Sequence, residues 1–476
     1  MMSSEGNETV PMLSRGAQGR PKAPERIIHL GLGNFTRAHQ AWYTQHAPDG
    51  DSWGIAGFSG HGPRMKRALD PQDDVYTLIT SGAQGDEFEV ISSVSSVHPG
   101  VDMDALRSLF ANPAVSIVTS TVTEAGYVRD HNGDLDVANP AVVADLGKLK
   151  DDPKTPELDT TPVRVVAGLL ARRGAQAGPI TILPCDNLAG NGRAFRKVVE
   201  QAIAEVDPSL LAWTRDNVAW ATSMVDRITP ATTQDDIDIV EQAKGWHDNA
   251  PVRTEPFHEW VVAGEFPSGR PAWDAAGAVI TDDVTPYEQR KLWMLNGSHS
   301  TLAYCGSLFG YESVAEAVGD PTLRAWINEW WDLAGRYVSV PTDEYRAQLL
   351  ERFANPNIHH LLLQIASDGS QKLPVRIVPA ALRALKDGVV AVPAARAIAA
   401  WILFLQRFEG KLADVNKDEV VPLAKACAVG GAGADRDAVK RVVAYVDQGL
   451  ADSSAFVDEV IRQIGEVGDM AARHAS

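Results

Sequence analysis

One stretch constrains the fold of this 476-residue chain more than any other: ERIIHL, then GLGNF, then RAHQAWYTQHA, running from Glu25 to Ala47. The first is a short β-branched run and the last carries its apolar residues at helical spacing, so the order is strand, glycine turn, helix. That is how a doubly wound α/β sheet begins. Further apolar runs follow at WGIAGF, VYTLIT, FEVISSV, VSIVTSTV, ITILPCDN and VAWATSMV, with helical patterns such as MDALRSLFA and GRAFRKVVEQAIAEV between several of them. Strands alternating with helices over roughly 250 residues imply a largely parallel, buried sheet.

From about Thr285 the character changes. Strand-like runs give way to long helical patterns, among them YEQRKLWMLNGSHSTLAYCGSLF and ARAIAAWILFLQRF, which predict a second, all-helical domain. The expected organisation is a loose polar leader over 1–25, a dinucleotide-binding domain over 26–284 and a helical substrate and catalytic domain over 285–476. The Gly- and Pro-rich WVVAGEFPSGRPAWDAAGAVITDDVTP is the candidate junction.

With 62 acidic against 44 basic residues the net charge is −18, which works against nucleic acid or an anionic membrane as a partner. An anionic small molecule would need a local basic pocket. Three widely spaced cysteines, no apolar leader and no membrane-length apolar run point to a cytoplasmic protein. A monomer or small homo-oligomer is expected. No His, Cys or Glu cluster has zinc spacing, so no metal is expected; the adjacent His359 and His360 read as structural.

Gly31 and Gly33 sit where backbone N–H groups and a helix start can hold a pyrophosphate. Thr36 stands where the usual fingerprint has its third glycine, and a bare G-x-G is a weak signal. After WGIAGF no carboxylate occurs before Asp70 to grip a ribose, while Arg64, Lys66 and Arg67 could meet a 2′-phosphate or simply form a solvated basic face. Cofactor choice is therefore open.

KLWMLNGSHS, residues 291–300, places Lys291, Asn296 and His299 in an apolar stretch. At about 100° per residue Lys291 and His299 lie roughly 80° apart, and Asn296 roughly 60° further, so all three can face one cleft. Singly, each has an ordinary structural explanation. Together they suggest chemistry, because a lysine against a desolvating wall can have its pKa lowered toward that of a general base. Two further polar clusters follow strands: Asp186, Asn187 and Asn191 in PCDNLAGNG, and Asp226 and Arg227 in SMVDRITPAT. Ligands bind at strand ends in open parallel sheets, although Asn, Asp and Gly also build turns.

These blocks, in this order, resemble the mannitol dehydrogenase family, the polyol-specific long-chain dehydrogenases. GLGNFTRAHQAWYT (31–44) is similar to its G-x-G-x-F-x-R-A-H-Q signature; TVTEAGY (121–127), PCDNLAGNG, VDRITP, FPSGRPAW and KLWMLNGSH match further blocks, and the likeness runs from about residue 26 to 450. It implies an N-terminal Rossmann-like α/β domain followed by an all-α C-terminal domain, and metal-independent hydride transfer between a nicotinamide cofactor and C2 of an open-chain polyol or ketose. Carried onto this chain, the catalytic lysine falls on Lys291, the carbonyl-polarising amides on Asn187 and Asn296, the substrate-binding histidine on His299 and an acidic position near the lysine on Asp226. The cofactor implied, NAD(H) with NADP(H) possible, would lie on Gly31, Gly33, Asn34, Phe35 and Arg37.

GSHSTLAYCGSLFGY (297–311) and QIASDGSQKLPVR (364–376) look closer to fructuronate reductases (mannonate oxidoreductases) than to mannitol 2-dehydrogenases. A uronate needs a cation for its carboxylate, and Lys372 and Arg376 are the candidates, with Asn191 as a further substrate contact. The alternatives are mannitol 2-dehydrogenase, another hexitol or pentitol dehydrogenase and, from a different class, a nucleotide-binding protein that has lost catalysis.

Overall fold

The computed structural model describes residues 10–60, 62–358, 360–407, 417–427 and 434–474. It divides into two compact units, Met1–Thr285 and Pro286–Ser476.

The first unit contains twelve described strands: β1 (Glu25–Leu30), β2 (Gly54–Phe58), β3 (Tyr76–Gly82), β4 (Gly85–Ile91), β5 (Val94–His98), β6 (Ile117–Ser120), β7 (Ile180–Pro184), β8 (Val218–Trp220), β9 (Thr222–Asp226), β10 (Val252–Thr254), β11 (Glu259–Ala263) and β12 (Val279–Thr281). Six of them make one parallel sheet in the order β5-β2-β1-β6-β7-β8. Counted within that sheet the order is 3-2-1-4-5-6, which reverses between β1 and β6 and so opens a crevice at their carboxyl ends.

Both faces of the sheet are covered, and alternate residues of each strand go to opposite sides. Ile28, Leu30 and Val118 join a core with Phe110, Leu169 and Phe195. Ile27, Ile117 and Leu183 join another with Tyr43, Trp260 and Trp273. The expectation of a parallel sheet therefore holds for the central layer. Two three-stranded sheets, β10-β3-β4 and β12-β11-β9, carry the antiparallel pairs β3–β4 and β9–β11, which the apolar runs alone did not separate from the main sheet.

Two sequence expectations need correction. Residues 10–24 are not a loose leader, because Leu13 is fully buried and Arg15 donates from Nη1 to the Ser92 carbonyl (2.9 Å) and from Nη2 to that of Val94 (2.6 Å). One buried guanidinium fed by backbone carbonyls anchors a segment that composition reads as disordered; residues 1–9 lie outside the described residues. The Gly- and Pro-rich stretch contains the division between units, which comes after Thr285, but most of it is built into the first unit, where it supplies nearly all of β11 and the whole of β12.

The second unit is helical. The helix Gly297–Phe309 is buried along most of its length, and the helices Pro321–Ala334, Val392–Arg407 and Ser454–His474 pack around it. Trp330, Trp331, Trp401 and Tyr304 are among its largest buried side chains. Among the described residues no helix is long and apolar enough to cross a membrane.

Candidate active-site residues in the two units

The glycine turn is held tightly. Gly31 has φ +97°, and a Cβ there would stand 2.5 Å from the Thr121 carbonyl oxygen, so only glycine fits the backbone and the contact together. The N–H groups of Gly31 and Leu32 both donate to the carbonyl of Phe58, at 2.9 and 2.8 Å, tying the end of β1 to the end of β2. At Gly33 a Cβ would meet only the Gly31 carbonyl at 3.7 Å, so the protein's own atoms do not demand glycine there.

Thr36, where the third glycine was expected, has its own task. It is fully buried; its hydroxyl bonds to His29 Nε2 (2.6 Å) and to the Thr121 hydroxyl (2.5 Å), and His29 Nδ1 bonds to the Thr119 hydroxyl (2.8 Å). A polar column thus joins β1, β6 and the first turn of helix where a glycine would give only close packing. Burial lowers the His29 pKa to about 3, so the ring is neutral at physiological pH.

Of the other proposed cofactor residues, Arg37 is buried and donates from Nε to Gly33 O (3.3 Å) and from Nη2 to Asn34 Oδ1 (2.7 Å). Asn34 in turn donates to Pro230 O (2.8 Å) and Thr232 Oγ1 (3.1 Å). Both side chains therefore brace the turn from within the protein. Phe35 stacks on His39 with ring centroids 4.8 Å apart.

Asn34 and Arg37 also form part of the wall of a cavity of about 640 Å³ beyond the carboxyl ends of β1 and β2. Leu32, Ser59, Gly60 and Arg64 line one side and Thr229–Gln234 the other. Sequence reasoning found the glycine turn but not this second wall. The available signal is its place just past the end of β9, a few residues beyond Asp226 and Arg227.

At the end of β7, Asp186 is buried, and its Oδ2 accepts from Tyr127 Oη (2.7 Å) and Ser120 Oγ (3.0 Å). Burial raises its pKa to about 7, with the two hydroxyl donors working the other way. Asn191 does not serve as a substrate ligand. It is fully buried, its Nδ2 donates to Asp186 O (3.0 Å) and Ser223 O (2.8 Å), and its Oδ1 accepts from Ser223 N (3.1 Å), so the amide splices the loop after β7 onto β9. That splice fixes the short segment carrying Asn187. Asp226 ends β9 and is buried, opposite Glu259 of β11. Arg227 beside it is buried, its Nε and Nη2 donating to the Glu255 carbonyl at 3.2 and 3.1 Å.

In the second unit the lysine segment is not a uniform α-helix. Lys291–Asn296 forms a π-helix between the α-helical Thr285–Arg290 and Gly297–Phe309, so the rotation per residue used for the sequence estimate does not apply through it. Widening the turn displaces carbonyls from α-helical partners. Those of Trp293 and Met294 accept the indole N–H groups of Trp330 (2.8 Å) and Trp331 (3.1 Å), while the Ser298 hydroxyl also donates to Met294 O (2.5 Å). Gly297 lets Trp330 approach, since a Cβ there would lie 2.7 Å from the indole Nε1. Single-turn π-bulges are frequent at functional sites.

Around that segment the structure brings together several of the proposed residues. His299 is buried, with its ring 4.7 Å from that of His360 and 4.9 Å from that of Phe353. Burial, then the charges of His360, Arg352 and Arg376, hold its pKa well below the usual histidine value, so the imidazole is neutral. Arg376 donates from Nη1 to Asn296 O (3.3 Å) and Ser300 Oγ (3.2 Å). Lys372, one turn earlier on the helix Gly369–Arg376, donates to the Ile365 carbonyl (3.1 Å). His359 lies outside the described residues, and among the described residues no three His, Cys, Asp or Glu side chains are grouped as a metal site requires.

Comparison with known proteins accounts for nearly the whole chain. The family described as the mannitol dehydrogenase Rossmann domain matches residues 25–275, and the mannitol dehydrogenase C-terminal domain matches residues 283–467. The D-mannonate oxidoreductase of Escherichia coli strain K12 is 36% identical over 83% of this chain and 82% of its own length. The D-arabinitol 4-dehydrogenase of Ralstonia nicotianae is 37% identical over 83% of this chain and 86% of its own. Among solved structures, the Pseudomonas fluorescens mannitol 2-dehydrogenase, a ternary complex with NAD and D-mannitol, superposes with a TM-score of 0.75 at 32% identity, covering 95% of this chain and 94% of that one.

Proposed function

The chain belongs to the mannitol dehydrogenase family, and we propose that it is a nicotinamide-dependent dehydrogenase of polyols or sugar acids whose preferred pair is D-mannonate and D-fructuronate. The cofactor, NAD(H), supplies or accepts the hydride at C2 of the open-chain substrate. The first unit suits it: a sheet of order 3-2-1-4-5-6, a glycine turn at φ +97° and a cavity of about 640 Å³ at the strand ends meet what a dinucleotide needs.

The observation that carries the reading is the π segment. It sets Lys291 and Asn296 at its two ends and His299 one turn of helix later, with Trp330 and Trp331 fixing the backbone between them. In the reducing direction the Lys291 ammonium gives a proton to the C2 oxygen as the hydride arrives at C2; in the oxidising direction the amine takes it back. The amide of Asn296 donates to that oxygen, which carries most charge in the transition state. Neutral His299 holds a neighbouring substrate hydroxyl.

Preference for a sugar acid rests on Arg376. Its Nη1 bonds to Asn296 O and Ser300 Oγ hold the guanidinium beside the Lys291–His299 segment, where its remaining N–H groups suit a carboxylate. The identity to D-mannonate oxidoreductase agrees with this preference. The mannitol and fructose pair is the second reading, supported by the likeness to mannitol 2-dehydrogenase.

Steady-state oxidation of NADH against fructuronate, fructose and tagaturonate tests the reading. The highest kcat/KM on fructuronate, lost selectively in Arg376→Ala, supports it. A higher value on fructose returns the chain to the mannitol pair, and no turnover with any of the three favours a non-catalytic nucleotide-binding protein.

A further inference from the structure

Dinucleotide sites choose between their two cofactors at the adenosine ribose: a carboxylate after the second strand accepts from the ribose hydroxyls and repels a phosphate, whereas an arginine there accommodates the 2′-phosphate. The cavity beside the glycine turn has the second chemistry. The chain leaving β2 reads Ser59-Gly60-His61-Gly62-Pro63-Arg64, and its first carboxylate, Asp70, is paired with Lys66 at 2.8 Å. Ser59, Gly60, Gly62 and Arg64 line the cavity, and no Asp or Glu is among the described residues that do. The Ser59 hydroxyl donates to the Gly62 carbonyl (3.0 Å) at the cavity wall, and Arg64 opens the helix Arg64–Leu69 with its side chain exposed. In a chain of net charge −18, a cavity with a cation and without a carboxylate is a local exception to the overall repulsion of anions.

We infer that this cavity accepts NADP(H) as well as NAD(H), with Arg64 holding the 2′-phosphate. The inference rests on the proposal that the first unit binds a nicotinamide dinucleotide, and deepens it by naming the residue that sets cofactor choice. Arg64 acts on one phosphate remote from the reacting carbon, so its removal touches NADP(H) affinity and leaves NAD(H) affinity in place. An exposed guanidinium–phosphate contact is also screened by salt, so NADPH binding weakens more steeply with ionic strength than NADH binding.

Binding of NADH and NADPH to the full-length protein, followed by nicotinamide fluorescence or calorimetry, tests this with wild type, Arg64→Ala and Arg64→Lys. The expected result is a wild-type Kd for NADPH within about tenfold of that for NADH, and in Arg64→Ala a further loss of about tenfold for NADPH alone, as expected for one charge-assisted contact. Arg64→Lys recovers part of that loss, and retained NADH binding certifies that the variants are folded. A wild-type NADPH Kd weaker by more than about tenfold, or an Arg64→Ala loss equal for both cofactors, overturns the inference while leaving dinucleotide binding intact. Failure of wild type to bind either cofactor instead removes the proposal on which it rests.

Discussion

The indole N–H of Trp330 donates to the carbonyl of Trp293 at 2.8 Å, inside the π turn that begins at Lys291. Trp331 does the same for Met294 at 3.1 Å, so two consecutive indoles bond two consecutive carbonyls of the π segment. Trp330→Phe keeps an aromatic side chain but removes the indole donor. It should cost about 1–3 kcal/mol, from the lost buried hydrogen bond and the volume the smaller ring leaves, and lower kcat more than it raises KM because the lysine backbone is no longer fixed. Chemical denaturation with steady-state kinetics checks both parts; unchanged kcat at reduced stability would leave the tryptophans a purely structural role.

Gly297→Ala addresses the same packing from the other side. The added methyl meets the Trp330 ring at 2.7 to 3.0 Å in a buried position, and the ring has to move. The expected destabilisation is about 1–3 kcal/mol, as for other overpacked cores, with turnover falling as in Trp330→Phe. A thermal melt indistinguishable from wild type would mean that the segment yields more easily than its contacts indicate.

The Asp186 carboxyl gives a pH signature. Its folded pKa is raised to about 7 from 3.8, so between those values the folded state holds a proton the unfolded state has lost. That contribution to stability is complete below the unfolded value and is lost as pH rises through the folded one. Asp186→Asn does not titrate and lacks this slope. Relative to wild type it should therefore gain up to about 2–3 kcal/mol between pH 5 and pH 8, read from denaturant midpoints at the two pH values. A constant difference across that range would show that Asp186 is ionised in the folded protein throughout.

Thr36→Val tests the column beneath the glycine turn. The change keeps shape and removes the hydroxyl shared by His29 and Thr121, leaving buried His29 Nε2 with one contact, the Thr121 hydroxyl at 2.9 Å. A loss of about 1–3 kcal/mol is expected, with weaker dinucleotide binding and little change in kcat at saturating cofactor. Equal cofactor affinity would separate the column from the site.

How much of this was legible beforehand differs from residue to residue. The strand, glycine turn and helix at 25–47 announced the parallel sheet because period and punctuation are local properties. Arg15 was not readable in this way: its partners Ser92 and Val94 are nearly eighty residues distant in the chain, and only folding makes a polar segment part of a core. Thr36 looked like a departure from a motif and proves to be a buried hydrogen-bonding residue, for the same reason. Lys291, Asn296 and His299 stood out because polar residues in an apolar run are costly without partners. The π geometry beneath them stayed hidden, since it depends on Trp330 and Trp331 from a different helix. Asn191 stands among the candidate ligands because a turn-forming amide and a ligand-binding amide look alike in sequence, and only its three backbone bonds separate the two.

The central claim is that Lys291 carries the proton. Single-turnover oxidation of bound NADH by fructuronate in Lys291→Ala, beside NADH affinity measured on the same sample, tests it most directly. The account predicts unchanged NADH affinity with hydride transfer slowed by about 10²–10⁴, partly restored by added primary amines. Transfer within tenfold of wild type in a variant that binds NADH normally would contradict it.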